Sequence, residues 1–318
     1  MINLIDFTSF LRCPYCQSIL LTHKDQLNCI VCEKCNNKYP LSVGRPILIR
    51  PDNDIFCIDD YCDIKRPSNS KNIGFLDFIP SPSVNLASQR VLLKVRELLK
   101  GKPCAFVLVV GSGCQKLWLD SVFCVDDSIK VLYTDIDISA DVDLFCDGHD
   151  LPFVDGVFDA VVTTAVLEHV LYPERVASEI MRVLKKDGLF YSELPFMQQV
   201  HEGAYDFTRY TMSGHRRLFN QIVEIESGVV AGPGTTLVWS IENFALAFLS
   251  NTIYRKMVKA TIRFAFGWIK YSDYILRNSP AALDGASCTY LLGYKIDYPI
   301  PDADIISGYV GAQTLTHT

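Results

Sequence analysis

The chain has 318 residues, 49% hydrophobic and 21% charged, a balance that excludes a mainly disordered protein and allows about two domains of ordinary size. A net charge of -6 excludes a globally basic, nucleic-acid-coating surface and leaves only local patches to consider. The first residues, MINLIDFTSFLRCP, hold Asp6 inside a short apolar run and have no basic start. They predict no secretory signal and a cytoplasmic protein, at most at the inner face of the membrane. Of 12 cysteines, five crowd between Cys13 and Cys35 and the rest stand singly, which in a reducing compartment points to a metal site and buried thiols, not a disulfide framework.

The cysteine crowd opens the first unit, expected over residues 1–50. Cys13, Cys16, Cys32 and Cys35 give C-x2-C-x15-C-x2-C, two tight knuckles whose thiolates can converge tetrahedrally on a structural Zn2+. Cys29 makes a second Cys-x-x-Cys with Cys32, but Lys38-Tyr39-Pro40 follows Cys35 at the distance a turn needs, which favours Cys32 and Cys35. Short strands around the knuckles make the unit a zinc ribbon. Residues 51–83 follow, first acidic (Asp52, Asp54, Asp59, Asp60, Asp63) and then rich in Pro, Ser and Asn, which predicts a linker.

From residue 84 onward, apolar runs of strand length alternate with stretches of helical period. The strands are predicted at Phe106–Val110, Val131–Thr134, Phe158–Thr163, Leu189–Leu194, Val223–Val230 and Cys288–Tyr294, with helices near 84–100, 115–124, 172–186 and 213–220. Such alternation predicts an α/β fold, a doubly wound parallel sheet covered on both faces. A helical insertion at about 234–282 breaks the pattern before the last strand. Its second half carries Lys256, Lys259, Arg263, Lys270 and Arg277 on one helical stripe among aromatic and apolar residues.

The chemistry begins where the first of these strands runs into Gly111-Ser112-Gly113. A strand, a Gly-x-Gly turn and a helix let the backbone approach a nucleoside cofactor closely, with helix-start amides facing its polar atoms. No Gly-Lys-Ser/Thr follows, so the turn is not a triphosphate loop. Asp137 ends the second strand at the interval where a carboxylate accepts ribose hydroxyls, with Asp135 as the alternative. Asp147, with the amides of Gly148 and His149 after it, is placed to hold an adenine edge.

These residues, together with the run from Asp150 to Phe153, Phe158-Asp159-Ala160-Val161, Leu167-Glu168-His169-Val170 and Arg182 to Gly188, resemble the class I S-adenosylmethionine-dependent methyltransferases. The resemblance covers about residues 100–220 and implies a seven-stranded, Rossmann-like sheet, an S-adenosylmethionine cofactor, and a cofactor set of Gly111, Ser112, Gly113, Asp137, Asp147, Gly148, His149 and Thr164. The later run through His201 and Asp206, the insertion and the closing strand look like bacterial methyltransferases of glycan assembly. The ribbon is similar to small zinc-ribbon activators of RNA and protein methyltransferases. Two positions depart from the family pattern: Val109 stands where an acid is usual, and Gln115 where a third glycine is usual.

Methyl transfer from a sulfonium needs an in-line approach, and a base only when the acceptor is a hydroxyl. The candidates are His201 as base, Asp206 to orient it and His169 near the acceptor entrance. A saccharide or lipid-linked saccharide is the first acceptor expected. A transfer or ribosomal RNA, held through the ribbon, is the alternative, and a non-catalytic scaffold the third reading. Residues 254–277 carry six Lys or Arg against one Asp. They read as a solvated helix face or as a peripheral contact with anionic membrane, ahead of a nucleic-acid surface.

Overall fold

A computed structural model describes residues 4–20, 29–62, 79 and 81–313; the remainder of the expected linker, residues 63–78 and 80, lies outside the described residues. Near its middle is β4 (Ala105–Val110), a strand that reads AFVLVV because both of its faces are covered. Val107 and Val109 enter one core with Val131 and Tyr133, while Leu108 and Val110 enter the other with Leu132 and Leu144. Val109 is therefore interior, on the sheet face away from Leu108 and Val110.

The sheet is mixed. β5 (Ile129–Asp135) and β6 (Leu144–Cys146) lie on one side of β4, and β7 (Phe158–Thr164) and β8 (Leu184–Pro195) on the other, all in parallel. β10 (Cys288–Lys295) is antiparallel to both β8 and the edge strand β9 (Ile222–Ala231). This is the expected Rossmann-like order of seven strands, and it does not end at β6. β1 (Cys29–Val31), β2 (Lys38–Ser42) and β3 (Arg45–Leu48) form an antiparallel meander, and β3 pairs in parallel with β6 through Ile47–Phe145 and Leu48–Cys146. The cysteine unit thus extends the sheet to ten strands.

The helices follow local rules. α1 (Asp59–Cys62) is a single turn within the expected linker, and it buries Tyr61. Before α2 (Ser88–Leu99), Asn85 Oδ1 accepts from the amides of Ala87 and Ser88. α3 (Lys116–Phe123) follows the glycine turn. α4 (Pro173–Val183) starts on a proline and buries Val176, Ala177, Ile180 and Met181 at helical spacing. It stops earlier than the predicted 186, because Lys295 Nζ donates to the carbonyls of Met181 (2.6 Å) and Leu184 (2.8 Å) and Leu184 already begins β8.

α5 (Met212–Leu218) is capped by the Thr211 hydroxyl. The insertion consists of α6 (Pro233–Leu246), α7 (Thr252–Phe266) and short turns up to Asp284. Its basic stripe is solvated only in part, at Lys256 and Arg277. Lys259 and Arg263 turn inward to Glu242, a buried carboxylate of α6 that Arg263 Nε contacts at 2.6 Å. Lys270 is buried as well and donates to Ser81 O. The helix breaks into a 3-10 turn at Gly267, so Lys270 and Arg277 leave the stripe. α7 exposes apolar residues beside Arg255 and Lys256: Ile253, Tyr254, Met257 and Phe264 are exposed, as are Trp268 and Ile275 beyond it.

Candidate active site

A cavity of about 740 Å³ opens at the carboxyl ends of β4, β5 and β6, the usual binding edge of such a sheet. Gly111, Asp137, Asp147, Gly148, His149 and His169 all line it. Ser112, Gly113, Thr164, His201 and Asp206 do not, although the first three are bound into the loop behind it.

The glycine turn is held by the acid that the sequence left as the alternative. Asp135 Oδ2 accepts from Gly113 N (2.7 Å), and its Oδ1 accepts from the amides of Ile136 (2.7 Å) and Asp137 (2.9 Å). Burial raises the Asp135 pKa despite these bonds. Asp135 fixes the backbone, and the exposed Asp137 is left at the cavity wall, braced by the amide and hydroxyl of Ser139. Gly111 has a φ of +70°, and a Cβ there would lie 2.3 Å from Val166 Cγ2. Gln115, in place of a third glycine, accepts from Thr164 Oγ1 (3.2 Å) and so ties the turn to the end of β7. The Ser112 hydroxyl is buried without a partner among the described residues.

Asp147 lies deeper. Its Oδ1 meets His149 N (2.9 Å) and His149 Nδ1 (2.6 Å), and its Oδ2 accepts from Asn53 Nδ2 (2.9 Å). Burial alone would raise its pKa; the His149 contacts and Asn53 outweigh that and hold it below the ordinary carboxylate value. Asn53 belongs to a strap that the sequence reading placed in a linker. Ile55, Phe56, Asp60 and Tyr61 of the same strap line the cavity, and Tyr61 donates to Ile136 O at 2.6 Å. The available signal was an apolar set, Ile55, Phe56, Ile58 and Tyr61, embedded in acidic text.

At the other end stand Val166, His169, Glu202, Tyr205 and Phe207. β7 runs out into Ala165, a non-glycine residue with a φ of +55°, and then into the short turn Leu167–His169. His169 Nδ1 lies 2.6 Å from Tyr205 O, and its ring meets that of His201 edge to face at 4.9 Å. His201 N donates to Asp206 Oδ2 (2.8 Å), and Arg209 engages both Asp206 oxygens. Arg209 holds the Asp206 carboxyl well below the usual range. Asp206 therefore positions the His201 loop without reaching the cavity. Beneath them Glu168 is fully buried, and neither of its oxygens has a hydrogen-bond partner among the described residues. Burial pushes its pKa up to about 8.

The four predicted cysteines come together. Their sulfurs lie within 4.8 Å of one another, with Cys13–Cys35 at 3.7 Å and Cys16–Cys32 at 3.5 Å. A tetrahedral zinc–thiolate site has sulfur–sulfur edges of about 3.8 Å, given bonds of about 2.3 Å, so this donor set can hold Zn2+. Cys29 is not part of the set; it begins β1.

Residues 109–192 match a family model described as a methyltransferase domain. Solved structures similar to the chain include Haemonchus contortus phosphoethanolamine N-methyltransferase 2 in complex with S-adenosyl-L-methionine, at 16% identity, covering 65% of this chain and 52% of that one with a TM-score of 0.40. Another is the YcgJ protein of Bacillus subtilis, at 13% identity, covering 66% of this chain and 100% of that one with a TM-score of 0.39. A third is a geranyl diphosphate methyltransferase, at 15% identity, covering 65% and 84% with a TM-score of 0.39. No curated protein matches the chain in sequence. The family match takes in the end of β4, the glycine turn and the acids that line the cavity, and makes residues 109–192 similar to a methyltransferase domain.

Proposed function

We propose that the protein methylates a sugar hydroxyl of a glycan or lipid-linked saccharide. The observation that carries this reading is the junction between the acceptor end and the insertion. The loop bearing His201 is tied to α6 by Gln199 Nε2 donating to Ser240 Oγ (3.1 Å), and α6, α7 and the turn between them expose Phe244, Phe248, Ile253, Met257 and Phe264. Exposed Tyr205 and Phe207 flank the opening, and aromatic faces of this kind suit the apolar face of a sugar ring.

In this reading Gly111, Ser112 and Gly113 receive the amino-acid end of the cofactor, Asp137 the ribose hydroxyls, and Asp147 with Gly148 and His149 the adenine edge; Thr164 supports the turn through Gln115. The bound cofactor supplies an activated methyl group. The protein's part is to hold the acceptor oxygen in line with it and to keep that line fixed. His169 lines the cavity and His201 meets its ring edge to face, so His169 is the nearer acceptor of the hydroxyl proton and His201 the next. The four cysteines hold a structural zinc ion that consolidates the edge meander.

The exposed apolar residues of α7, with Lys256 and Arg277 still at the surface, suit insertion into the headgroup region of an anionic membrane, where a lipid-linked acceptor resides. No helix among the described residues is long and apolar enough to cross a membrane. RNA is less favoured, because Arg12, Arg45 and Arg50 of the cysteine unit are engaged by Asp155, Asp141 and Asp52. The test is transfer of labelled methyl from S-adenosylmethionine to fractionated cell extract. Label in the lipid-linked saccharide fraction is expected, and label confined to RNA would sink the proposal.

A further inference from the structure

Glu168, His169 and His201 form a second cluster of ligand-type side chains, each offering one atom within 4.8 Å of the others. The three are far apart in character. Glu168 is fully buried with both oxygens unpartnered, His169 is half-buried at the cavity wall, and His201 reaches the surface. A buried carboxylate without a partner is costly, and native proteins keep one where something compensates it. Among the described residues no Lys or Arg pairs with it. Arg209, whose charge acts on Glu168, is bound to Asp206, and Glu193 adds a further buried carboxylate to the surroundings.

The imidazoles are already oriented as ligands. His169 Nδ1 is directed at Tyr205 O, which fixes the tautomer with its proton on Nδ1 and leaves the Nε2 lone pair free; Nε2 stands 3.7 Å from Glu168 Oε1. His201 Nδ1 faces Gln199 O (3.3 Å) and the Asp206 carboxylate in the same manner. A ligand whose other nitrogen is hydrogen-bonded to a carbonyl or carboxylate is the usual arrangement around a metal ion.

We infer that Glu168, His169 and His201 bind a divalent first-row transition ion, such as Mn2+, Fe2+ or Zn2+, with its open positions facing the acceptor end of the cavity. Two imidazoles and one carboxylate suit these ions better than Mg2+, which prefers an all-oxygen set. The inference deepens the methyltransferase reading and rests on it. An acceptor hydroxyl bound to the ion loses its proton to water. The resulting alkoxide forms the O–CH3 bond while the S–CH3 bond breaks, and its electron pair returns to sulfur as a neutral thioether. The histidines then act as ligands, and no side-chain base is needed.

Mn2+ is the probe, added to the full chain after dialysis against EDTA and followed by loss of the free-ion paramagnetic signal. One Mn2+ per chain is expected, with affinity lowered at least tenfold in Glu168→Gln and in His169→Ala. His201→Asn, at an exposed position that the fold does not require, is expected to weaken binding as well. Circular dichroism and calorimetric S-adenosylmethionine binding confirm that each variant is folded. Failure of the folded chain to bind Mn2+, or binding unchanged in all three variants, overturns the site. A chain that binds S-adenosylmethionine and transfers methyl equally well in EDTA also overturns it, and leaves the methyltransferase reading standing. Stoichiometric Mn2+ on a folded chain that does not bind S-adenosylmethionine supports the ion site and removes the reading on which its role rests.

Discussion

The two ends of the cavity handle carboxylates in opposite ways. At the cofactor end, Asp135 meets three backbone amides, and Asp147 meets His149 and Asn53, so these acids act as struts of the fold. At the acceptor end, Glu168 is more deeply buried than either, and its carboxylate has no hydrogen-bond partner among the described residues. A satisfied acid stabilises the chain by itself, whereas an unsatisfied one stabilises it only when something else arrives. The difference separates a preorganised receptor from a site completed by its ligand, and it can be tested one substitution at a time.

The largest effect is expected at the glycine turn. Gly111→Val adds atoms where even a Cβ would be 2.3 Å from Val166, at a φ of +70°. Calorimetry should find S-adenosylmethionine affinity lowered by 100-fold or more in a chain whose circular dichroism is unchanged. Asp135→Ala comes next. It strands three amides, at about 1 kcal/mol each, and should destabilise the fold by about 2–4 kcal/mol in urea unfolding. If Asp135→Ala leaves stability unchanged, the cofactor end is not the strut described above.

Much of this end was legible in the sequence because its signals are local. Strand, Gly-x-Gly turn, helix and acids recur at intervals set by one βαβ unit, and that is what Gly111, Asp137 and Asp147 display. Three features were not legible, each for a non-local reason. The pairing of β3 with β6 joins Ile47 to Phe145, and nothing in RPIL specifies a parallel neighbour so distant in sequence. The strap from Asn53 to Tyr61 reads as solvated acidic linker until its few apolar residues are seen to share one wall. The stripe of Lys259 and Arg263 suggests an outward face, and only the position of Glu242 on a packed neighbour turns it inward. Glu168 is the reverse case: its motif was read, but its burial without a partner belongs to the tertiary structure alone.

Glu168→Gln sharpens the comparison because its sign is opposite. Replacing an unpartnered buried carboxylate with a neutral amide should raise stability by about 1–3 kcal/mol in chelator, where removal of Asp135 lowers it. Added Mn2+ should stabilise the parent chain and not the variant, a difference read by thermal melting. Acid gives a smaller effect at the cofactor end. The Asp147 pKa lies below its ordinary value, so the acid contributes stability that is fully present above the unfolded-state value near pH 4 and is lost as pH falls further, through its folded pKa. Below about pH 4 the melting temperature of the parent chain should fall, and Asp147→Asn should flatten that descent.

The smallest expected effect tests whether the strap belongs to the receptor at all. Tyr61 is 2% exposed, packs against Phe145 with ring centroids 5.4 Å apart, and gives its hydroxyl to Ile136 O at 2.6 Å, between the two acids of the β5 end. Tyr61→Phe keeps the packing and removes one hydrogen bond, which leaves the Ile136 carbonyl without that donor and should cost about 1 kcal/mol. Because Ile136 sits between Asp135 and Asp137, the loss should appear twice: as a fall of a few degrees in melting temperature, and as a several-fold weaker S-adenosylmethionine affinity. A change in stability without a change in affinity would make the strap a cover laid over a receptor complete without it. A change in both makes the strap and the sheet edge one receptor, assembled from the two sides of the cysteine unit's junction with β6.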